Sequence, residues 1–324
     1  MNTIYNTLRT DKGYKVYEGY LYEITGEECE EALDLVIPKN IVFADTDTCG
    51  YTFLLNEDGT VYDDVTFYKF DDKYWLASHK ALDSYLDNIN FDYTVTDISD
   101  EYKMLQIEGR YSGEIAQSFY EYDISTLNFR TLIEMTYKGE KGYLARFGFS
   151  GEFGYQFFLP SSIFATFVSD VCEGIAEYGD ELDRYLRFEV GQPITDIYQQ
   201  EEYSLYEIGY SWNLDFTKEE FRGRDSLLEH IRSATVKSVG FSTKEKLASG
   251  TPVLFDDQIV GKIFWIADEK DSSENYLGLM IVNQTYAHSG VTFVTEDGQI
   301  LKTQSSPYCI PESWNKELAY MLVE

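Results

Sequence analysis

Cysteine, histidine and basic side chains are all scarce in this 324-residue chain, and each shortage removes a class of chemistry. The four cysteines, Cys29, Cys49, Cys172 and Cys309, stand far apart with no C-x-x-C spacing, so neither a thiolate zinc site nor a disulfide framework is expected. The three histidines, His79, His230 and His288, never take the H-E-x-x-H spacing of a hydrolytic centre, and no metal is expected. No run approaches the ~18 apolar residues of a membrane span. Met1-Asn-Thr-Ile-Tyr5 also lacks the basic start and apolar core of a signal peptide, so a soluble, cytoplasmic protein is the expectation. Lysine and arginine number 26 against 57 acidic residues, a formal charge of −31. Such a field repels a phosphate backbone, which argues against nucleic acid as a partner. Because the acidic residues are dispersed (Glu27, Glu28, Glu30, Glu31; Asp71, Asp72; Glu201, Glu202), they read as solvated surface.

What is abundant is aromatic: 28 tyrosines and 21 phenylalanines in a chain that is 44% apolar, enough to bury a large core in two or three domains. The densest aromatic stretch, Arg146-Phe-Gly-Phe-Ser-Gly-Glu-Phe-Gly-Tyr-Gln-Phe-Phe-Leu-Pro160, sets Gly148, Gly151 and Gly154 at a period of three. This is not the dinucleotide fingerprint, which needs G-x-G-x-x-G opening a helix, because Gln156-Phe-Phe-Leu159 continues as strand. It predicts a strand that kinks across a tight connection.

Phe53 to Tyr68 predicts a hairpin turning at Asp58-Gly59, residues that tolerate positive φ. With period-two alternation, Val61, Asp63, Val65 and Phe67 share one face and Tyr62, Asp64, Thr66 and Tyr68 the other, so the adjacent aspartates cannot form a dyad. Asp64 then lies on an aromatic and hydroxyl face of the kind that lines a ligand pocket. Further strands are expected at 74–78, 92–99 and 102–107, and helices at 79–86 and 112–119. Another helix is expected from Ser161 or Ser162 toward Gly179, and one more over 182–190. Thr217-Lys-Glu-Glu220 fits a capping box ahead of a helix over 226–231. From Thr235 the texture changes to short β runs, at 238–242, 251–255, 259–264, 276–282 and 291–294, predicting a separate small barrel. The tail from Pro311 to Glu324 is compatible with helix.

Together these segments resemble the aminomethyltransferase family, the T protein of the glycine cleavage system and its tetrahydrofolate-dependent relatives. The resemblance rests on Tyr51-Thr-Phe-Leu-Leu-Asn-Glu-Asp-Gly-Thr-Val-Tyr-Asp-Asp64, Arg146 to Tyr155, Leu186-Arg-Phe-Glu-Val-Gly-Gln-Pro193, and Ser204 to Trp212 leading to Phe221-Arg-Gly-Arg-Asp-Ser-Leu227, in family order. It implies an α+β, cloverleaf-like fold: a folate-binding body over 1–234, with 1–45 and 100–234 in one subdomain and 46–99 in another. A β-barrel over 235–310 and the tail over 311–324 complete the implied layout. The implied function is a one-carbon transferase passing a methyl or aminomethyl unit from an amine or methyl donor to tetrahydrofolate. Two other readings stay open: a genuine T protein served by a lipoyl carrier protein, or a non-enzymatic folate-binding paralogue.

By the same resemblance Asp64 matches the family's catalytic carboxylate beside the pterin, and Tyr51 a pocket tyrosine. Arg146, Phe149, Gln156 and Arg184 complete the implied folate-binding set. Phe149 stands where the family has tyrosine, Gln156 where it has glutamate, and Asp183 where it has arginine, with Arg184 beside it. Phe264-Trp-Ile-Ala267 replaces the usual Thr-Ser-Gly of the barrel. In this reading the three glycines let a strand pass close to a flat bound ring that Phe149 and Gln156 face.

Overall fold

The computed structural model describes residues 3–87, 89–194, 203–271 and 273–315. Its first eleven strands are Gly13–Val16 (β1), Tyr20–Thr25 (β2), Thr48–Leu55 (β3), Val61–Lys69 (β4), Tyr74–Ser78 (β5), Thr94–Asp97 (β6), Tyr102–Glu108 (β7), Leu132–Tyr137 (β8), Glu140–Ala145 (β9), Gly154–Pro160 (β10) and Ala176–Glu177 (β11). They form two sheets, ordered β3-β4-β5-β2-β6 and β11-β1-β7-β10-β9-β8. The strand Tyr20–Thr25 precedes residue 46 yet belongs to the first sheet, because its residues pair with β5 from Tyr20↔Ser78 to Ile24↔Tyr74.

The aromatic wealth of the sequence lies between these sheets. Trp75 of β5 packs edge-on against Tyr143 and Phe158 of the other sheet at 5.1 and 5.7 Å. Short helices cover the outer faces: Cys29–Asp34 (α1) and Asp83–Leu86 (α2) on the first sheet, Gly113–Gln117 (α3) and Ser161–Val171 (α4) on the second. Asp180–Glu189 (α5) and Arg224–Ser233 (α6) connect this body to six strands closed into a barrel. These are Val236–Thr243 (β12), Pro252–Phe255 (β13), Gln258–Lys270 (β14), Tyr276–Asn283 (β15), Thr292–Val294 (β16) and Ile300–Gln304 (β17), around Phe241, Ile263, Met280 and Phe293. The mixed α/β body and the C-terminal barrel are therefore both present. No helix among the described residues is long and apolar enough to cross a membrane.

Several local expectations change. The 53–68 hairpin forms, but its register slips between Leu54↔Asp63 and Leu55↔Val61, a bulge that resets the alternation. Tyr62 consequently leaves the Asp64 face and stacks on Tyr85 at 4.4 Å, while Val61 joins the core containing Tyr68. The helix expected over 79–86 shrinks to Asp83–Leu86, because the amides of His79 and Lys80 are committed to Asp63. Ser161 begins α4 without capping it, and that helix ends at Val171 instead of running toward Gly179. Thr217 bonds back to Asp215 instead of opening a capping box, and α6 begins at Arg224 after Gly223 in the left-handed region. Strand β17 returns beside β16 from the turn at Glu296-Asp-Gly298, with Leu301 and Thr303 alternating inward. Of the tail, Glu312–Trp314 is a single 3-10 turn, and residues 316–324 lie outside the described residues.

Candidate functional site

Strand β4 carries Asp63 and Asp64 across the first sheet, and the pleat sends them to opposite faces. Both are buried, at 4% and 3% exposure. Asp63 is fully partnered: its Oδ2 accepts from Ser78 Oγ at 2.6 Å and from the His79 and Lys80 amides at 2.8 Å each. Burial pushes its carboxyl above the usual range, helped by the neighbouring Asp64 charge and opposed by these bonds. Asp64 has no such support. Its Oδ1 is wholly shielded and receives no hydrogen bond among the described residues. A carboxylate desolvated without donors costs stability, which makes Asp64 the candidate functional group of this face.

Asp64 opens on a narrow cavity of about 50 Å³ between the two sheets and α5, whose wall also includes Tyr17, Glu108, Phe149, Gln156 and Arg187. Gln156 of β10 is 1% exposed, and its Oε1 accepts from the Tyr68 hydroxyl at 2.7 Å. That bond uses one of the two lone pairs of its carbonyl oxygen, and the amide NH₂ is the donor it offers. Phe149 presents a ring face, over which the Arg187 guanidinium carbon sits at 3.7 Å. Arg187 Nε bonds Asp183 Oδ2 at 3.1 Å, and Lys15 reaches the same oxygen at 3.4 Å.

Glu108, at the end of β7, organises the loop that carries Phe149. Its Oε2 accepts from the amides of Phe149 and Ser150, at 3.1 and 2.8 Å, and from the Ser150 hydroxyl. Burial raises its pKa against the pull of those bonds. A Cβ on Gly148 would fall 2.8 Å from Glu108 Oε2 and 2.9 Å from the Gly154 Cα. Two of the three glycines therefore let the loop fold against itself and against Glu108, which corrects the expectation that they admit a bound ring. Tyr17 completes the wall. Burial, then the charges of Asp64 and Asp63, hold its phenol well above the usual range, so it faces the cavity as a proton donor.

Of the residues expected from sequence, Asp64, Phe149 and Gln156 line this one cavity. Tyr51 does not line it but sits behind Phe149, edge-on at 5.2 Å. Arg146 points away: its guanidinium bonds the Leu127 carbonyl and lies 5.7 Å from the Phe153 ring centre. Arg184 lines a separate cavity of about 240 Å³ with Tyr178, Tyr185 and Trp265. The reason is helical phase. Asp183 and Arg187, four apart on α5, share the face toward Phe149, and position 184 is turned about 100° from Asp183. Sequence reading passed over Tyr17, Glu108 and Arg187. For Arg187 the i, i+4 spacing from Asp183 was the available signal.

Residues 17–218 match the model of the GCVT N-terminal domain. An aminomethyltransferase of Thermoanaerobacter pseudethanolicus is 27% identical over 297 residues, covering 84% of this chain and 78% of the relative. One from Clostridium botulinum is 26% identical over 287 residues, covering 83% and 77%. In solved structures, the glycine cleavage system aminomethyltransferase T of Bartonella henselae superposes with a TM-score of 0.80 at 16% identity, over 95% of this chain and 89% of that one. That likeness speaks to fold, and the family model covers the strands and helices that build the Asp64 cavity. The chain belongs to the GCVT family, the family of the glycine cleavage T protein.

Proposed function

We propose that this protein binds a reduced folate against Asp64 and promotes transfer of a one-carbon unit to it from an amine or methyl donor. The observation that carries this reading is the Asp64 carboxylate, buried on a cavity wall with no hydrogen-bond donor among the described residues. Bound there, tetrahydrofolate supplies the nucleophilic nitrogen that takes up the carbon. The residues present suit such a ligand chemically. Asp64 accepts an N–H or stabilises positive charge developing at an attacking nitrogen, and in a low-dielectric pocket that interaction is strong. The Gln156 amide supplies an N–H edge and Phe149 a stacking face. Tyr17, held protonated, donates a hydrogen bond without bringing a second negative charge beside Asp64.

Size sets a condition. At about 50 Å³ the cavity is far smaller than the roughly 300 Å³ at the lower end of ligand sites, so a planar two-ring ligand enters only with Arg187 off the Phe149 ring. Asp183 and Lys15 are the groups that govern where Arg187 rests.

A second reading is a folate-binding protein that does not turn over, because Phe149 and Gln156 keep a ring face and an amide but supply neither a phenol nor a carboxylate. The two are separated by measuring thermal stabilisation with tetrahydrofolate together with formation of one-carbon-loaded folate from methylated amines or an aminomethylated lipoyl carrier. Stabilisation with turnover supports transfer, and stabilisation without turnover supports the second reading. The absence of any thermal shift with any reduced folate overturns both.

A further inference from the structure

Beyond the far side of the Asp64 site, between the end of α5, residues 208–212 and the barrel, lies a cavity of about 350 Å³. Tyr210, in its wall, stacks on Phe53 at 6.1 Å, and Phe53 is paired with Asp64 across β3 and β4. One aromatic layer thus separates the two cavities.

Among the described residues, the wall of the larger one contains none that is charged. In a chain that is 26% Asp, Glu, Lys and Arg, a wall of its size would ordinarily carry about four. Its apolar surface combines aliphatic Ile208, Val239 and Leu279 with aromatic rings: Tyr308 stacked on Phe188 at 4.6 Å, Tyr210, and Trp212, which is 56% exposed. Its polar groups are neutral. The Tyr308 hydroxyl and the side chains of Ser238, Ser306 and Gln304 line the wall and form no hydrogen bond with a described residue. The Tyr308 ring reaches its place because β12 has glycine beneath it: a Cβ on Gly240 would fall 1.6 Å from the phenol oxygen.

Such a wall selects by what it lacks. A charged ligand would lose its hydration and meet no counter-charge among the described residues. A wholly apolar ligand would leave the hydroxyls and the amide unmet. A ring with an apolar face and an uncharged hydrogen-bonding edge satisfies both halves, and the volume suits one such molecule. We propose that this cavity is a second binding site, for an uncharged ring compound bearing hydroxyl or amide groups. That chemistry is shared by free nucleosides and neutral sugars.

The test is isothermal titration calorimetry on the full chain with inosine, with methyl α-D-glucopyranoside, and with inosine 5′-monophosphate as the charged control. Saturable binding of at least one neutral probe is expected, with any binding of the monophosphate weaker by about tenfold or more. Inosine alone binding identifies a nucleoside-type ligand, and the glucoside alone a saccharide. Ser238→Phe, which fills the cavity from the barrel side, and Trp212→Ala, which removes the exposed ring, each weaken binding by about tenfold. Should the first fail to fold, the second, at an exposed position, still decides. Asp64→Asn leaves the probe affinity unchanged. No saturable heat with either neutral probe at millimolar concentration overturns the proposal. So does equal affinity for the monophosphate, binding that survives both wall variants, or binding lost in Asp64→Asn.

Discussion

Asp63 and Asp64 are neighbours whose side chains the strand pleat sends to opposite faces, and their substitutions separate a structural carboxylate from a chemical one. Asp63→Ala strands the His79 and Lys80 amides, both committed to one of its oxygens, and leaves the Ser78 hydroxyl only the Lys80 carbonyl. The expected loss is about 2–4 kcal/mol of unfolding free energy, read by urea denaturation. Asp64→Asn removes a buried charge that no donor supports, so stability stays level or rises. Under the proposed reaction the same variant keeps folate-induced thermal stabilisation and loses about 10²–10³ in turnover. A variant that turned over normally would exclude Asp64 from the chemistry. Asp64 was legible in the sequence because two-residue alternation is local, and the bulge disturbs it only upstream, at Val61 and Tyr62. Arg187 was not singled out, although α5 itself was expected, because its importance lies in meeting Phe149, nearly forty residues earlier. Glu108 was equally hidden, since a strand-end glutamate acquires its role only from the Phe149 and Ser150 amides that fold onto it.

At the scale of elements, the 147–153 loop is held by the Glu108 carboxylate, by Gln106 on the Phe147 carbonyl and Arg9 on the Ser150 carbonyl, and by the close approach of Gly148 to Gly154. Gly148→Ala has backbone on one side and the Glu108 carboxylate on the other, neither of which can yield cheaply. It should cost about 1–3 kcal/mol and displace Phe149, weakening folate binding along with stability. Gly179→Ala is the control. Nothing lies within 4 Å of its Cβ position and its φ is −94°, so a change within about 0.5 kcal/mol is expected. Equal effects of the two substitutions would mean that the close approach of Gly148 is not what holds the loop. Elements whose signals are local were readable in advance, such as the Asp58-Gly59 hairpin and the barrel strands up to β16. Those whose hydrogen bonds are settled by distant partners were not. Residues 79–82 have the composition of helix but donate their first amides to Asp63, and the helix is left as the single turn Asp83–Leu86.

Across the whole molecule, the many tyrosines make the fold sensitive to alkali. Tyr17, Tyr68 and Tyr178 have phenols raised well above the usual value, in each case first by burial, and Tyr5, Tyr85, Tyr210 and Tyr308 are raised as well. Above pH ~10 the unfolded chain releases these protons while the native state keeps them, so stability falls by up to about 1.4 kcal/mol per pH unit for each such group. Lys39 works in the opposite sense. Burial, then the Arg130 charge, lower its pKa from 10.5 to about 8, so the native state releases that proton first and stability gains between those two values. One lysine sets a modest rise that ends near pH 10.5, where several tyrosines are already pulling the other way. Burial pushes the thiols of Cys49 and Cys172 from 9.0 up to about 12, so they too pull stability down from pH ~9. Urea titrations at stepped pH should therefore show stability rising slightly from pH 8 to 9, turning over between 9 and 10 and then falling steeply, with phenolate absorbance appearing together with unfolding. Phenolate signal from all the buried tyrosines in a chain that is still folded would show that water reaches the aromatic interior, and would contradict the burial from which the profile follows.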